Sequence, residues 1–235
     1  MQLVGLMVTR DSAGLVGDAL TAALAYCDAV VVLHHAPVVV PYHTPDMATS
    51  AALWTAQQAY PERICVTDES DPNYRAGAYR NRLLVAARQM GATHCAIIDD
   101  DERPTTNIVA RLRGWYADLA PGTGLQLPWL CLVDPDHYRR DCSCYGAPQV
   151  FAGWRDAPTV RFAEPADQTH ERTPRGLTAL RHPLDRREGG LLHLHELDAA
   201  RWAARRAQFG VAQLYGRDLA PLPAAWVDDD TLRGA

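Results

Sequence analysis

Four short apolar runs, each closed by polar residues, limit what this chain can fold into. Residues 3–8 (LVGLMV) lead into Thr9-Arg10-Asp11, 29–33 (AVVVL) into His34-His35, 64–67 (ICVT) into Asp68-Glu69, and 95–98 (CAII) into Asp99-Asp100-Asp101-Glu102. Unbroken apolar runs of this length read as strands buried on both faces, as in a parallel sheet. Helical spacing fills the gaps. Leu15, Ala19, Ala22, Ala23 and Tyr26 share one side of a helix that Ser12 is placed to cap, and residues 49–59 are helix-like. Leu83, Ala87 and Met90, with Ala86 beside them, line a helix over 79–90 that Gly91 stops. Right-handed crossovers put such strands in one parallel sheet, with every polar terminus at the same edge. In open sheets that edge is the ligand crevice.

The second half is less regular. Residues 105–119 read as a helix ending before Pro121-Gly122, 127–133 as a strand, and 149–154, 159–162 and 190–195 as short strands. Residues 134–146 are polar and aromatic, and 163–176, rich in charge and Pro, fall outside the core. A helix over 198–209 carries Trp202, Arg206 and Phe209 on one stripe, and the chain closes on Asp228-Asp229-Asp230.

A chain of 235 residues can build one good core. Its formal charge of -5 opposes a broad nucleic-acid surface but allows a local basic pocket. Lys is absent, and with abundant Ala, Gly and Pro this points to GC-rich coding, so any one Arg carries less chemical meaning. Cysteines at 27, 65, 95, 131, 142 and 144 are scattered and are expected as thiols. Cys142-Ser143-Cys144 lacks the second pair that zinc would need. There is no 18-residue apolar stretch, and residues 1–8 lack the length and basic start of a signal peptide. The expectation is a cytoplasmic protein with no membrane span.

The acidic run carries the chemistry. In an extended strand Asp99 and Asp101 share a side and Asp100 and Glu102 the other, unless a turn resets them. Two carboxylates aimed into a crevice suit a hard cation that bridges to a phosphorylated ligand. An imidazole from His193 or His195, which share a strand face, would favour Mn2+ over Mg2+. Arg80 and Arg82, at the start of the preceding helix, are placed to pair with a diphosphate. Glu171, Asp134 and Asp136 are rival candidates for a general base.

Three segments together resemble nucleotide-sugar glycosyltransferases of the GT-A fold, particularly the family 2-like group: residues 3–11 (LVGLMVTRD), 79–83 (YRNRL) and 91–102 (GATHCAIIDDDE). The resemblance covers roughly residues 3–210. It implies an α/β, Rossmann-like, mostly parallel central sheet flanked by helices, with an irregular C-terminal acceptor-side part. Length and composition add the expectation of a single domain over 1–226, which the resemblance divides into a nucleotide-sugar-binding half (1–124) and an acceptor half (125–226), before an acidic tail (227–235). Asp99 and Asp101 match the DxD positions that bind metal and donor diphosphate, with Asp100 between them in the donor site and Glu102 matching an acid that often follows. Thr9, Arg10, Asp11 and Asp68 fall where such enzymes contact base and ribose. His170-Glu171 resembles a His-Glu pair whose acid is a candidate base. The spacing of His193, Asp198 and Trp202 resembles a His-cap-aromatic segment, which selects His193 as third metal ligand. The chain departs from the family where His34-His35-Ala36-Pro37 replaces the usual Asp-containing turn, and where an acceptor-site Glu-Asp-aromatic is absent.

The implied activity is metal-dependent transfer of a sugar, with inversion, from a nucleotide-sugar to a saccharide or other hydroxyl acceptor, using Mn2+ or Mg2+. The alternatives are a nucleotidyltransferase, a non-catalytic sugar-nucleotide-binding protein of the same fold, and a glycosyltransferase acting on modified DNA bases. The nucleotidyltransferase is disfavoured because the loop 9–14 holds only one Gly.

Overall fold

The computed structural model describes residues 1–36, 47–71, 74–134, 137–139, 149–163, 172–194 and 219–227. Its centre is a parallel array. Strand β1 (Leu3–Thr9) lies between β2 (Ala29–His35) and β4 (His94–Ile98), and β3 (Ile64–Glu69) flanks β2. Beyond β4 the direction reverses: β8 (Gln149–Arg155) runs antiparallel to β4 and to the long β6 (Thr123–Asp134). The sheet continues through β7 (His137–Arg139) to β11 (Leu219–Pro221), giving the order β3-β2-β1-β4-β8-β6-β7-β11. The short β9 (Ala179–Arg181) pairs in parallel with the start of β6. A mostly parallel sheet with flanking helices and an irregular C-terminal region is thus the architecture expected from the apolar runs.

Period-two alternation explains the two faces. Leu3 and Met7 of β1 point into one apolar layer, with α1 (Val16–Leu24) and α4 (Thr106–Ala117). Val4 and Leu6 point into the opposite layer, where Tyr79, Leu83, Leu84 and Ala87 of α3 (Ala76–Gln89) meet Phe151 and Trp154 of β8. Helix α2 (Met47–Ala59) is more loosely attached, burying Thr49 and Leu53. Tyr116 donates to the carbonyl of Ala152 at 2.7 Å, tying α4 to β8.

A third apolar cluster, Leu130, Leu132, Tyr138, Leu192, Leu194, Ala220 and Trp226, holds the later strands together. There β10 (Leu191–His193) inserts between β6, to which it is parallel, and the short β5 (Glu102–Pro104), to which it is antiparallel. This places residues from near position 100 beside residues from near 190.

Several boundaries differ from the sequence reading. Ser12 does not cap α1 with its side chain. Its carbonyl accepts from Leu15 and Val16 at 2.9 Å each, and its hydroxyl is drawn instead to the Asp100 carboxylate. The strand expected over 159–162 is only an isolated bridge, Arg161 to Arg175. Cys27, Cys65 and Cys95 are free thiols, whereas Cys131 is disulfide-bonded. The helix expected over 198–209 and the acidic tail lie outside the described residues. Among the described residues, no helix is long and apolar enough to cross a membrane.

Candidate functional site

The C-terminal edge of the parallel strands presents a row of polar side chains. Register pairs Thr9 with His34 and His34 with Asp68. Thr9 Oγ1 donates to Asp100 Oδ2 at 2.7 Å, extending the row to the end of β4. His34, buried, donates through Nδ1 to the exposed Asp68 carboxylate at 3.1 Å. Arg10 and Asp11 form an exposed ion pair at 3.0 Å, with Asp11 at a positive φ of 51°, which a short polar side chain tolerates. His35 points to the other face, its Nε2 donating to the Asp71 carbonyl at 2.8 Å and its ring packed on Tyr74 and Tyr79.

After Ile98 a turn sends the four acids in different directions. The Glu102 amide donates to the Asp99 carbonyl at 3.1 Å, closing the turn. Asp100 accepts from Thr9 and Ser12 and so fastens the loop after β1. Asp99 faces Arg80 Nη2 at 3.3 Å and Arg172 Nη1 at 2.6 Å. Glu102 receives both Arg172 Nη1 and Nη2, at 2.7 and 2.6 Å. Asp101 stands with its Oδ2 3.5 Å from His193 Nε2. The turn has reset the simple alternation.

Local structure brings His193 here. Its strand partners are Glu102 on β5 and Cys131 on β6, and the next amide, Leu194, donates to the Asp101 carbonyl at 2.8 Å. The imidazole lies on the Trp129 ring, 4.6 Å between centroids, with Cys131 Sγ 3.8 Å from Nδ1. Both Asp101 and His193 are buried.

Of the two candidate arginines, Arg80 is buried against the acid run, while Arg82 is half-exposed and pairs with Glu69. Asp134 ends β6 in register with His137. Glu171, Asp136 and His195 lie outside the described residues.

Sequence reading missed Arg172. It lies in the stretch excluded from the core as too polar, yet its side chain is only 11% exposed. A lone ionised carboxylate at the depth of Glu102 would cost several kcal/mol, so a buried acid after a strand is itself a sign of a cation to be found elsewhere in the chain. Burial pushes the Glu102 carboxyl upward, with the Arg172 charge pulling against it. Burial works to lower Arg172, but Asp99 and Glu102 outweigh it and hold the guanidinium above its ordinary value, so it stays charged.

Charge bears on whether a divalent ion fits. Asp99 and Glu102 face the guanidiniums Arg80 and Arg172, whereas Asp101 faces His193 and Asp100 the hydroxyls of Thr9 and Ser12. The 3.5 Å between Asp101 and His193 is near the ~3 Å between adjacent ligands of an ion with ~2.1 Å bonds. No group of three or more His, Cys, Asp or Glu side chains able to hold a metal occurs among the described residues. Asp101 and His193 offer one carboxylate and one imidazole, and an ion held by them would have to take its other ligands from phosphate oxygens and water.

No family model matches this sequence, and no curated protein matches it. Among solved structures, the chain is similar to a UDP-glucose pyrophosphorylase complexed with UDP-glucose (TM-score 0.35, 9% identity, 66% of this chain and 76% of that one). It is also similar to a mannose-1-phosphate geranyltransferase from Thermus thermophilus (TM-score 0.36, 12% identity, 58% of this chain and 45% of that one). A third is a glucose-1-phosphate thymidylyltransferase from Bacillus anthracis in complex with a sucrose (TM-score 0.34, 12% identity, 56% of each chain). Scores this low carry no argument about activity.

Proposed function

We propose that the edge formed by β1, β2, β3 and β4 binds a nucleotide-activated sugar and that the protein transfers its glycosyl group to an acceptor hydroxyl. The observation that carries the proposal is the meeting of Asp101 with His193 at 3.5 Å, beside Arg80 and Arg172, where parallel strands deliver their polar ends. Asp101 and His193 would hold Mn2+ or Mg2+, and that ion would supply positive charge to the departing diphosphate. Arg80, held by Asp99, adds fixed charge at the same place. Thr9, Arg10, Asp11 and Asp68 lie along the edge where base and ribose would rest.

In the proposed reaction the acceptor O–H proton passes to Glu171. The acceptor oxygen bonds to the anomeric carbon, and the bond from that carbon to the diphosphate oxygen breaks with inversion. Glu171 is proposed because Arg172, its neighbour in the chain, is anchored on Asp99 and Glu102. Asp134 and Asp136 are the alternatives.

The decisive test is a thermal-shift panel of nucleoside diphosphates and nucleotide-sugars, with and without Mn2+, followed by assay of the hits. A Mn2+-dependent shift with one nucleotide, together with slow release of sugar from its nucleotide-sugar, is expected. Pyrophosphate formation from a nucleoside triphosphate and a sugar phosphate would instead identify a nucleotidyltransferase. A ligand-dependent shift without turnover would leave a binding protein, and no shift with any nucleotide would end the proposal.

A further inference from the structure

The Arg172 fork is almost fully used. Nη1 and Nη2 hold both oxygens of Glu102, Nη1 also reaches Asp99, and Nε donates to the carbonyl of Phe151 at 2.7 Å. Asp99 and Glu102 are the first and last residues of the turn after β4, already joined by the bond from the Glu102 amide to the Asp99 carbonyl. Asp101 is inside that turn. Arg172 therefore clamps both ends of the segment that aims Asp101 at His193, and the carbonyl of Phe151 fixes the clamp to a strand of the central sheet. Glu102 is also the register partner of His193 on β10, so one guanidinium sets both halves of the pair.

We infer that Arg172 is a positioning residue for the Asp101–His193 cation site, acting through Asp99 and Glu102 rather than by touching the ion. This rests on the cation-binding part of the reading above. A charge alone would not suffice for the role. Lysine keeps the charge but cannot bond two carboxylates, in parallel and in plane, while also donating to a backbone carbonyl.

The test uses the full chain and Mn2+ alone, titrated by the loss of free-ion EPR signal. Arg172→Lys is expected to weaken Mn2+ binding tenfold or more, and Arg172→Ala at least as much, with millimolar guanidinium chloride restoring part of the Ala variant's affinity. Because the Arg172 variants risk misfolding, Glu102→Gln provides a milder break in the clamp and is expected to weaken binding three- to tenfold. Far-UV circular dichroism and melting temperature are recorded for every variant. Equal Mn2+ affinity in wild type, Arg172→Lys and Glu102→Gln would overturn the positioning role while leaving the cation site standing. Absence of Mn2+ binding in wild type would overturn both. Weakened binding without guanidinium rescue, accompanied by a proportional fall in melting temperature, would reduce Arg172 to a structural residue and also overturn the inference.

Discussion

The hydroxyl of Thr9 donates to the carboxylate of Asp100 at 2.7 Å, so the ends of the first and fourth strands are joined by side chains as well as by their ladder. Ser12 adds a second hydroxyl to the same carboxylate, folding the loop after β1 over the strand end. Asp100→Ala would leave both hydroxyls without this buried acceptor. The expected cost is about 2–3 kcal/mol, read as a lower urea midpoint with an unchanged slope. Asp100→Asn, which keeps an acceptor oxygen, should cost less than half as much.

Asp101→Asn is expected to abolish transfer and Mn2+-dependent donor binding while leaving the fold intact. His193→Ala should do the same to metal dependence, with an added stability loss of about 1–2 kcal/mol from its contact with Trp129. The thermal shift given by a donor with Mn2+ checks both. Wild-type shifts in either variant would exclude that residue as a ligand.

Gly153 lets β8 approach β4 closely. A Cβ there would collide with the Cys95 carbonyl and lie 2.6 Å from Tyr116 Oη and 2.9 Å from Ala96 Cα, so two of the three obstacles are backbone atoms that cannot swing aside. Gly153→Ala should therefore destabilise by about 3 kcal/mol or more, measurable by denaturant titration. A change under about 1 kcal/mol would show that the two strands can part without loss.

His94 is 4% exposed and is lowered to about 4, chiefly by burial, then by the Arg155 charge and the amino terminus. The folded state thus disfavours the imidazolium. Stability from this residue is complete above pH ~6.5 and is lost as pH falls towards 4. Replacing His94 by Asn should remove on the order of 2 kcal/mol of the stability change between pH 7 and pH 4.5. Parallel pH–stability curves for the variant and wild type would disprove this linkage.

Glu171→Gln should reduce turnover by a factor of order 10² while sparing donor affinity. An unchanged rate would move the base to Asp134, Asp136 or Asp68.

The central sheet was legible because its information is local. Continuous apolar runs such as 29–33, too short for a helix and rich in β-branched Val, read as strands buried on both faces, and the acids at 99–102 mark where such a strand stops. The turn was not legible. Alternation puts Asp99 and Asp101 on one side, whereas the Glu102-to-Asp99 hydrogen bond reverses the chain and hands Asp99 to Arg80 and Arg172. Arg172 was invisible for a related reason: its burial depends on carboxylates 70 and 73 positions earlier, and nothing in its own polar neighbourhood reports them. Ser12 illustrates the same limit on a smaller scale, since a buried carboxylate from a distant strand competes successfully with the nearby helix for its hydroxyl.

The insertion of β10 between β5 and β6 also bears on how the molecule is made. During synthesis the acids at 99–102 leave the ribosome long before Arg172 and His193, so the side chains that meet Asp99, Asp101 and Glu102 from the later chain are made well after the strands they join. Closure of that turn must await translation of the chain through His193, because the guanidinium and the strand that hold it both come from the later half of the sequence.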